Sequence, residues 1–282
     1  MPLAYYDAHN HLKDDWLAPH LEKIADQLVA LGLRGAIVNG TCEDDWARVS
    51  ELSRRFAWIV PSFGLHPWDA GNRSSAWLEK LNDVLTSQPG AGVGEIGLDR
   101  WILDRARPDD PRLTGLRRAS LEEQIEVFTA QLALATKDNR PATIHCLDAW
   151  GALAEIIRHT ALPERGFLLH AYSGPAEMIR GFAERGAYFS FNGAFLDERQ
   201  ARHRNTFKLI PPERLLVETD APAMLLPQPW RTYKLPPAPT GQPVNHPGNI
   251  EAAYAGLASL LGLTVADLAV QTETNFLRLF AR

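Results

Sequence analysis

Short runs rich in β-branched and aromatic residues alternate along the whole chain with longer stretches whose apolar residues recur at helical spacing. The runs predict eight strands: LAYYDAHNH (3–11), RGAIVNG (34–40), WIVPSFGLHP (58–67), AGVGEIGLD (91–99), PATIHC (141–146), GFLLHAYSG (166–174), GAYFSFNG (186–193) and RLLVETDAP (214–222). Between them the 3.6-residue period is plain, as in Leu121, Ile125, Phe128 and Leu132 within 118–137. Eight strand-then-helix repeats predict a parallel (β/α)8 TIM barrel, because a parallel strand pair needs a crossover and these crossovers are helical in length. An open doubly wound sheet gives the same alternation and is the alternative. Two segments break the rhythm, 100–117 and the Pro-rich 224–249. Both follow strands, so both are expected over the C-terminal mouth of a barrel, where such folds carry their chemistry.

With 282 residues, 45% of them hydrophobic, the chain is expected to form a single domain over 1–282. The net charge of −5 excludes a global basic field that would hold nucleic acid by counterion release alone. Cys42 and Cys146 form no C-x-x-C pair, and no basic segment followed by an apolar stretch opens the chain. No run approaches the ~18 apolar residues of a membrane span. These features lead to the expectation of a cytoplasmic protein with no membrane contact and no stable protein partner.

Strand alternation predicts that Asp7, His9 and His11 share one face of the first strand, with Ala8 and Asn10 on the other, packed layer. Later strand ends carry Asn39, His66, Glu95, His145, His170, Asn192 and Asp220. In a barrel those ends converge on one axis, so the histidines and acids point to a divalent-metal site. Four imidazoles and two carboxylates suit Zn, Mn, Fe or Co, with Mg also compatible. Glu95 sits between the pairs His9/His11 and His145/His170 in strand order. It is the natural bridge between two cations that share a water or hydroxide.

These residues resemble the TatD-type metal-dependent deoxyribonucleases of the amidohydrolase-like barrel superfamily. The likeness rests on D-A-H-N-H at 7–11, G-L-H-P at 64–67, G-E-I-G-L-D at 94–99, Q-x3-F-x2-Q-L from Gln124 and I-H at 144–145. It continues through H-A-Y-S-G at 170–174, E-T-D-A-P at 218–222 and N-x-x-R-L-F from Asn275. It implies His9, His11 and Glu95 around one metal, Glu95, His145 and His170 around the other, and Asp220 completing the site. Members often carry an arginine two positions after the fifth-strand histidine and another just before the asparagine that aligns with Asn245. Here those positions are Leu147 and Val244, and the usual C-F-S-G reads A-Y-S-G.

The expected catalytic residues are therefore Asp220, which takes the proton of the attacking water, together with Glu95 and His66. Glu218 and Asp7 are expected behind the metal ligands, with Asp7 orienting His9 from beneath. His66 is assigned to substrate phosphate or the leaving group, and Asn245 and His246 to the same task more weakly. Arg100, Arg105, Arg107, Arg112, Arg117 and Arg118 are interleaved with Asp99, Asp104, Asp109 and Asp110, which reads as a solvated, self-paired loop. Cys146 points away from His145 and is no nucleophile. The expected activity is a 3′–5′ deoxyribonuclease acting on DNA ends or a small phosphate-bearing substrate. A metal-dependent hydrolase of a small ester, amide or lactone is the alternative, favoured by Leu147 and Val244, and a non-catalytic metal-stabilised barrel is the third reading.

Overall fold

In the computed structural model, residues 3–281 are described; Met1, Pro2 and Arg282, which the expected domain includes, lie outside the described residues. Eight parallel strands follow one another in sequence order: β1 (Tyr5–Asn10), β2 (Leu33–Asn39), β3 (Ile59–Phe63), β4 (Gly92–Asp99), β5 (Ala142–Leu147), β6 (Phe167–Leu169), β7 (Ala187–Asn192) and β8 (Leu215–Glu218). A doubly wound sheet would reverse its strand order partway, and this one does not. The cylinder closes just past β8, where Asp220 N donates to His9 O (2.9 Å) and His11 N donates to Ala221 O (2.8 Å).

The helices are α1 (Leu21–Leu31), α2 (Trp46–Arg55), α3 (Trp77–Ser87), α4 (Trp101–Asp104), α5 (Leu121–Lys137), α6 (Trp150–His159), α7 (Ile179–Glu184), α8 (Ala201–Thr206), α9 (Ile250–Leu261) and α10 (Val265–Phe280). The expected helix from 118 starts at Leu121 instead, because Ser120 is extended and caps it by accepting from Glu123 N. Among the described residues no single helix is long and apolar enough to cross a membrane. Tyr6, Ile37, Leu168, Tyr188 and Leu216 pack with Phe276, Leu279 and Phe280 of α10 into an apolar plug that fills the base of the barrel. That base leaves the polar chemistry to the opposite rim.

Several strands end earlier than the apolar pattern predicts, and the difference places the chemistry. His11, His66, His170 and Asp220 lie just past their strands, in the first residues of the following loops. Ala171 and Asp220 take left-handed φ values of 41° and 50°, so the chain turns off the ladder at these points. The segment 224–249 holds only short 3-10 turns, in keeping with its prolines.

Candidate metal centre

Two β-bulges aim the first ligand-type side chains. On β1, the four residues Asp7 to Asn10 lie against only three of β2, Ala36 to Val38, and on β4, Val93 to Ile96 does the same against Ala142 to Ile144 of β5. An extra residue in a strand swaps the sides that follow it. Ala8 keeps the side of Tyr6 in the plug, not an outer layer, and the extra residue lets His9 face the rim site as well. The expected common face for Asp7, His9 and His11 is corrected accordingly: Asp7 accepts from Thr219 N (3.0 Å), Thr219 Oγ1 (2.6 Å) and Asn10 Nδ2 (3.1 Å). It meets His9 only at its backbone N–H, 3.3 Å away. Asp7 thus fastens β1 to the segment bearing Asp220, and its buried carboxyl is pushed up to about 7 by loss of water, against the pull of its Thr219 hydrogen bonds.

Around Glu95 the remaining side chains fall into two groups, one for each carboxylate oxygen. Oε2 lies 3.5 Å from His9 Nε2 and 3.2 Å from His11 Nε2, and Asp220 Oδ1 lies 3.4 Å from each of those nitrogens. The two imidazole nitrogens are 3.2 Å apart. Oε1 lies 3.0 Å from His145 Nδ1 and 2.9 Å from His170 Nε2, which are 3.2 Å from each other. Separations of this size are those between neighbouring donors bonded at about 2.0 Å to one cation, the length of zinc–nitrogen and zinc–oxygen bonds. The donor set and its spacing fit a divalent cation on either side of Glu95. The groups also adjoin, since donor atoms of His9, His170 and Asp220 lie within 4.8 Å of one another and the His9 and His170 rings stack at 4.0 Å.

The other nitrogen of each imidazole faces an oxygen-bearing group, which fixes ring orientation. His11 Nδ1 faces Asn39 O at 3.2 Å, and His9 Nδ1 faces the Asn39 side-chain amide at 3.1 Å. Asn39 Oδ1 has no partner among the described residues. Turning that amide over lets the oxygen accept from His9 Nδ1–H and leaves Nε2 bare for a cation. His145 Nε2 meets Asp99 Oδ2 at 3.2 Å, and His170 Nδ1 faces Glu218 Oε1 at 3.5 Å, without a hydrogen bond among the described residues. Glu218 is itself held by Ser190 Oγ and by Asn192 Nδ2.

Three residues in this support are absent from the expected set, and Asp99 is a correction. Placed by sequence in a solvated loop, it is fully buried at the end of β4, where alternation from Glu95 points it inward. Its neighbours Arg100 and Asp104 do pair with each other at the surface, as do Arg107 with Asp109 and Arg112 with Asp110. Gln124 and Gln131 of α5 are buried, and each clamps one backbone unit beside the site. Gln124 binds Asp99 N (2.8 Å) and O (3.1 Å), and Gln131 binds Leu65 N (2.7 Å) and O (3.1 Å). The Q-x3-F-x2-Q-L spacing was the available signal.

His66 comes closer than sequence suggests, with Nε2 3.4 Å from Glu95 Oε1. Its Nδ1 accepts from Trp68 N (3.2 Å), so the neutral ring carries its proton on Nε2 and presents a donor, not a lone pair. Burial favours that neutral ring, outweighing the opposing pull of Glu95. Asn245 and His246 do not open onto the site. Asn245 donates to Thr219 O and Met224 O and accepts from Asn249, and His246 accepts from Gly248 N and meets Gln27 of α1. Their donors and acceptors serve the lip of the barrel, apart from the two groups around Glu95. Cys146 packs into the outer core, and burial raises its thiol pKa far above the ordinary value.

Charge balance follows from burial. Loss of water would raise Glu95 and Asp220, but the surrounding imidazoles hold both carboxyls well below their ordinary range. Burial likewise opposes protonation of His11 and His145, yet the hydrogen bonds and charges of Asp220, Glu95 and Asp99 push them up to about 10 and about 9. Two buried carboxylates demand positive charge at this point, which protons on the imidazoles, or a cation displacing them, would supply.

A family model described as TatD related DNase matches residues 6–281. The chain is 29% identical over 276 residues to an Escherichia fergusonii protein named 3′-5′ ssDNA/RNA exonuclease TatD, with 98% of each covered. It is 28% identical over 276 residues to the Bacillus subtilis protein named uncharacterized metal-dependent hydrolase YabD, again with 98% of each covered. The structure of YJJV, a TatD homolog from Escherichia coli, superposes over all of both chains with a TM-score of 0.84 and 27% identity. A TatD family hydrolase from Entamoeba histolytica shares the fold, with a TM-score of 0.80 at 19% identity over 99% of each chain.

Proposed function

The chain belongs to the TatD related DNase family and is a metal-dependent hydrolase of that type, and on that premise we propose that it is a phosphodiesterase that removes nucleotides from the 3′ ends of DNA. The observation that carries the reading is the divided carboxylate of Glu95, with one oxygen toward His9, His11 and Asp220 and the other toward His145 and His170. We assign two divalent cations to these groups, drawn from Zn, Mn, Fe, Co or Mg. Bound there, they supply Lewis acidity and lower the pKa of water toward neutrality.

The chain's own groups do the rest. Asp220 stays ionised and accepts the proton of the attacking water, then returns it to the departing oxygen. His66 directs its Nε2–H at an anionic oxygen of the substrate. Asn39, Asp99 and Glu218 hold the imidazoles in place. With a net charge of −5, short or single-stranded ends suit the chain better than long duplex. A cytoplasmic setting belongs to the same reading and is supported by the unpaired Cys42 and Cys146.

A 5′-labelled single strand incubated with the cation-loaded protein is expected to shorten stepwise from its 3′ end, and chelator or Asp220→Asn to stop it. Release of no nucleotide from any oligonucleotide would end the nuclease reading. Leu147, half-buried at the end of β5, and Val244, buried in the core, favour a second reading in which a small ester, amide or lactone is cleaved. A panel of such substrates beside a generic phosphodiester separates the two.

A further inference from the structure

We propose that Trp68 and Trp101 form a stacking platform for a nucleobase of the strand being cut, an inference that rests on the nuclease reading. The two indoles lie nearly parallel, 5.9 Å between ring centroids at 21°. Their floor is a satellite core of Ile102, Ala106 and Leu113, flanked by Leu103 and Leu116, and both indoles remain only half-buried on it. Trp68 follows His66 by two residues, with ring centroids 5.7 Å apart, and Trp101 opens α4 directly after the strand that carries Glu95 and Asp99. The platform therefore adjoins the candidate metal centre.

Three further observations fit a base rather than an aliphatic ligand. The Trp68 Nε1–H donates to Asp99 Oδ2 at 2.6 Å, which fixes the indole plane and ties it to the acid that also orients His145. The Arg112 guanidinium lies 4.5 Å from the Trp101 centroid and 5.8 Å from that of Trp68, so the rings already accept a flat cationic group against them. Arg100 and Arg105 are exposed, and their partners Asp104 and Asp148 hold them through single surface ion pairs that a phosphate can replace at little cost. Aromatic faces beside exchangeable cations are the means by which single strands are bound without regard to sequence. At 147 and 244 this chain has leucine and valine, so stacking supplies attachment that phosphate contacts at those positions do not.

The test compares two oligonucleotides of equal length, one intact and one with abasic residues at its 3′ end. Stacking of one base corresponds to roughly a 5- to 150-fold effect on binding. The wild-type chain is expected to show a KM lower by that factor for the intact strand, Trp101→Ala to abolish the difference, and Trp101→Phe to keep most of it while preserving the small core. Equal KM values for both strands with wild type, or an undiminished preference in Trp101→Ala, would overturn the platform. Digestion of neither strand would overturn the nuclease reading instead. Titrating the Asp220→Asn chain and following tryptophan fluorescence still decides the platform in that case: quenching by the intact strand alone supports it, and equal or absent quenching refutes it.

Discussion

Oδ2 of Asp99 lies 3.2 Å from Nε2 of His145, leaving Nδ1 of the same ring to face Glu95. The acid holds one tautomer and one ring angle, the usual service of a carboxylate behind a metal-binding histidine. An asparagine in its place would have to present its amide oxygen at the same point without the charge. Asp99→Asn is expected to weaken cation binding on the His145 side by about 10- to 100-fold. Titration calorimetry with Mn or Zn checks this, and two undiminished binding events would contradict it.

His66 differs from its neighbours because its Nδ1 is taken by the Trp68 backbone N–H. As a donor to an anionic oxygen it is worth roughly 10- to 150-fold in kcat/KM, the range of a hydrogen bond to a charged group. His66→Ala is expected to lose that factor on oligonucleotides while its bound metal content stays at the wild-type level, and His66→Gln, which keeps a donor, to recover part of it. Loss of metal in His66→Ala would make the ring a ligand instead.

Much of this site is legible in the sequence. His145 and Cys146 obey simple alternation, so the first faces the rim and the second the outer core. Convergence of six strand ends follows from the barrel alone. What escaped the sequence were departures from regular pleating. The bulge in β1 hides behind an unbroken alternation of acid and histidine, and it separates Asp7 from His9. Asp99 escaped because charged neighbours on either side gave it the look of a surface residue, although its position four beyond Glu95 puts it on the inner face. Asn245 and His246 show the converse: polar residues near the rim whose partners are the chain itself.

Gln131 forms both of its hydrogen bonds with the backbone of Leu65, the residue before His66. Gln131→Leu keeps the bulk and leaves a buried N–H and C=O unpaired, at a cost of about 2 to 4 kcal/mol for the two groups. A urea midpoint lowered by that energy divided by the slope of the unfolding free energy with urea is expected, and an unchanged midpoint would show that the clamp adds nothing to stability.

Glu123 accepts from Arg117 and Arg73, tying the 100–118 segment to α5 and to the loop after β3. The Arg117 hydrogen bonds, with those of Arg73, push its carboxyl down to about 2. Because the folded value lies below the unfolded one of ~4.3, the stabilisation is full above that pH and disappears as pH falls toward 2. Glu123→Gln is expected to lower stability by about 1 kcal/mol at pH 7, with solvent screening included. Comparing urea midpoints of the two chains at pH 7 and near pH 2.5 tests the sign: the gap should shrink on acidification, and a gap that widens would contradict the assignment.

The most direct measurement is anomalous diffraction from crystals grown with Mn or Zn. Two peaks are predicted, one on each side of Glu95, the first among His9, His11 and Asp220 and the second between His145 and His170. A crystal saturated with either metal that shows no peak against Glu95, or a single peak touching only one of its oxygens, would contradict the dinuclear centre.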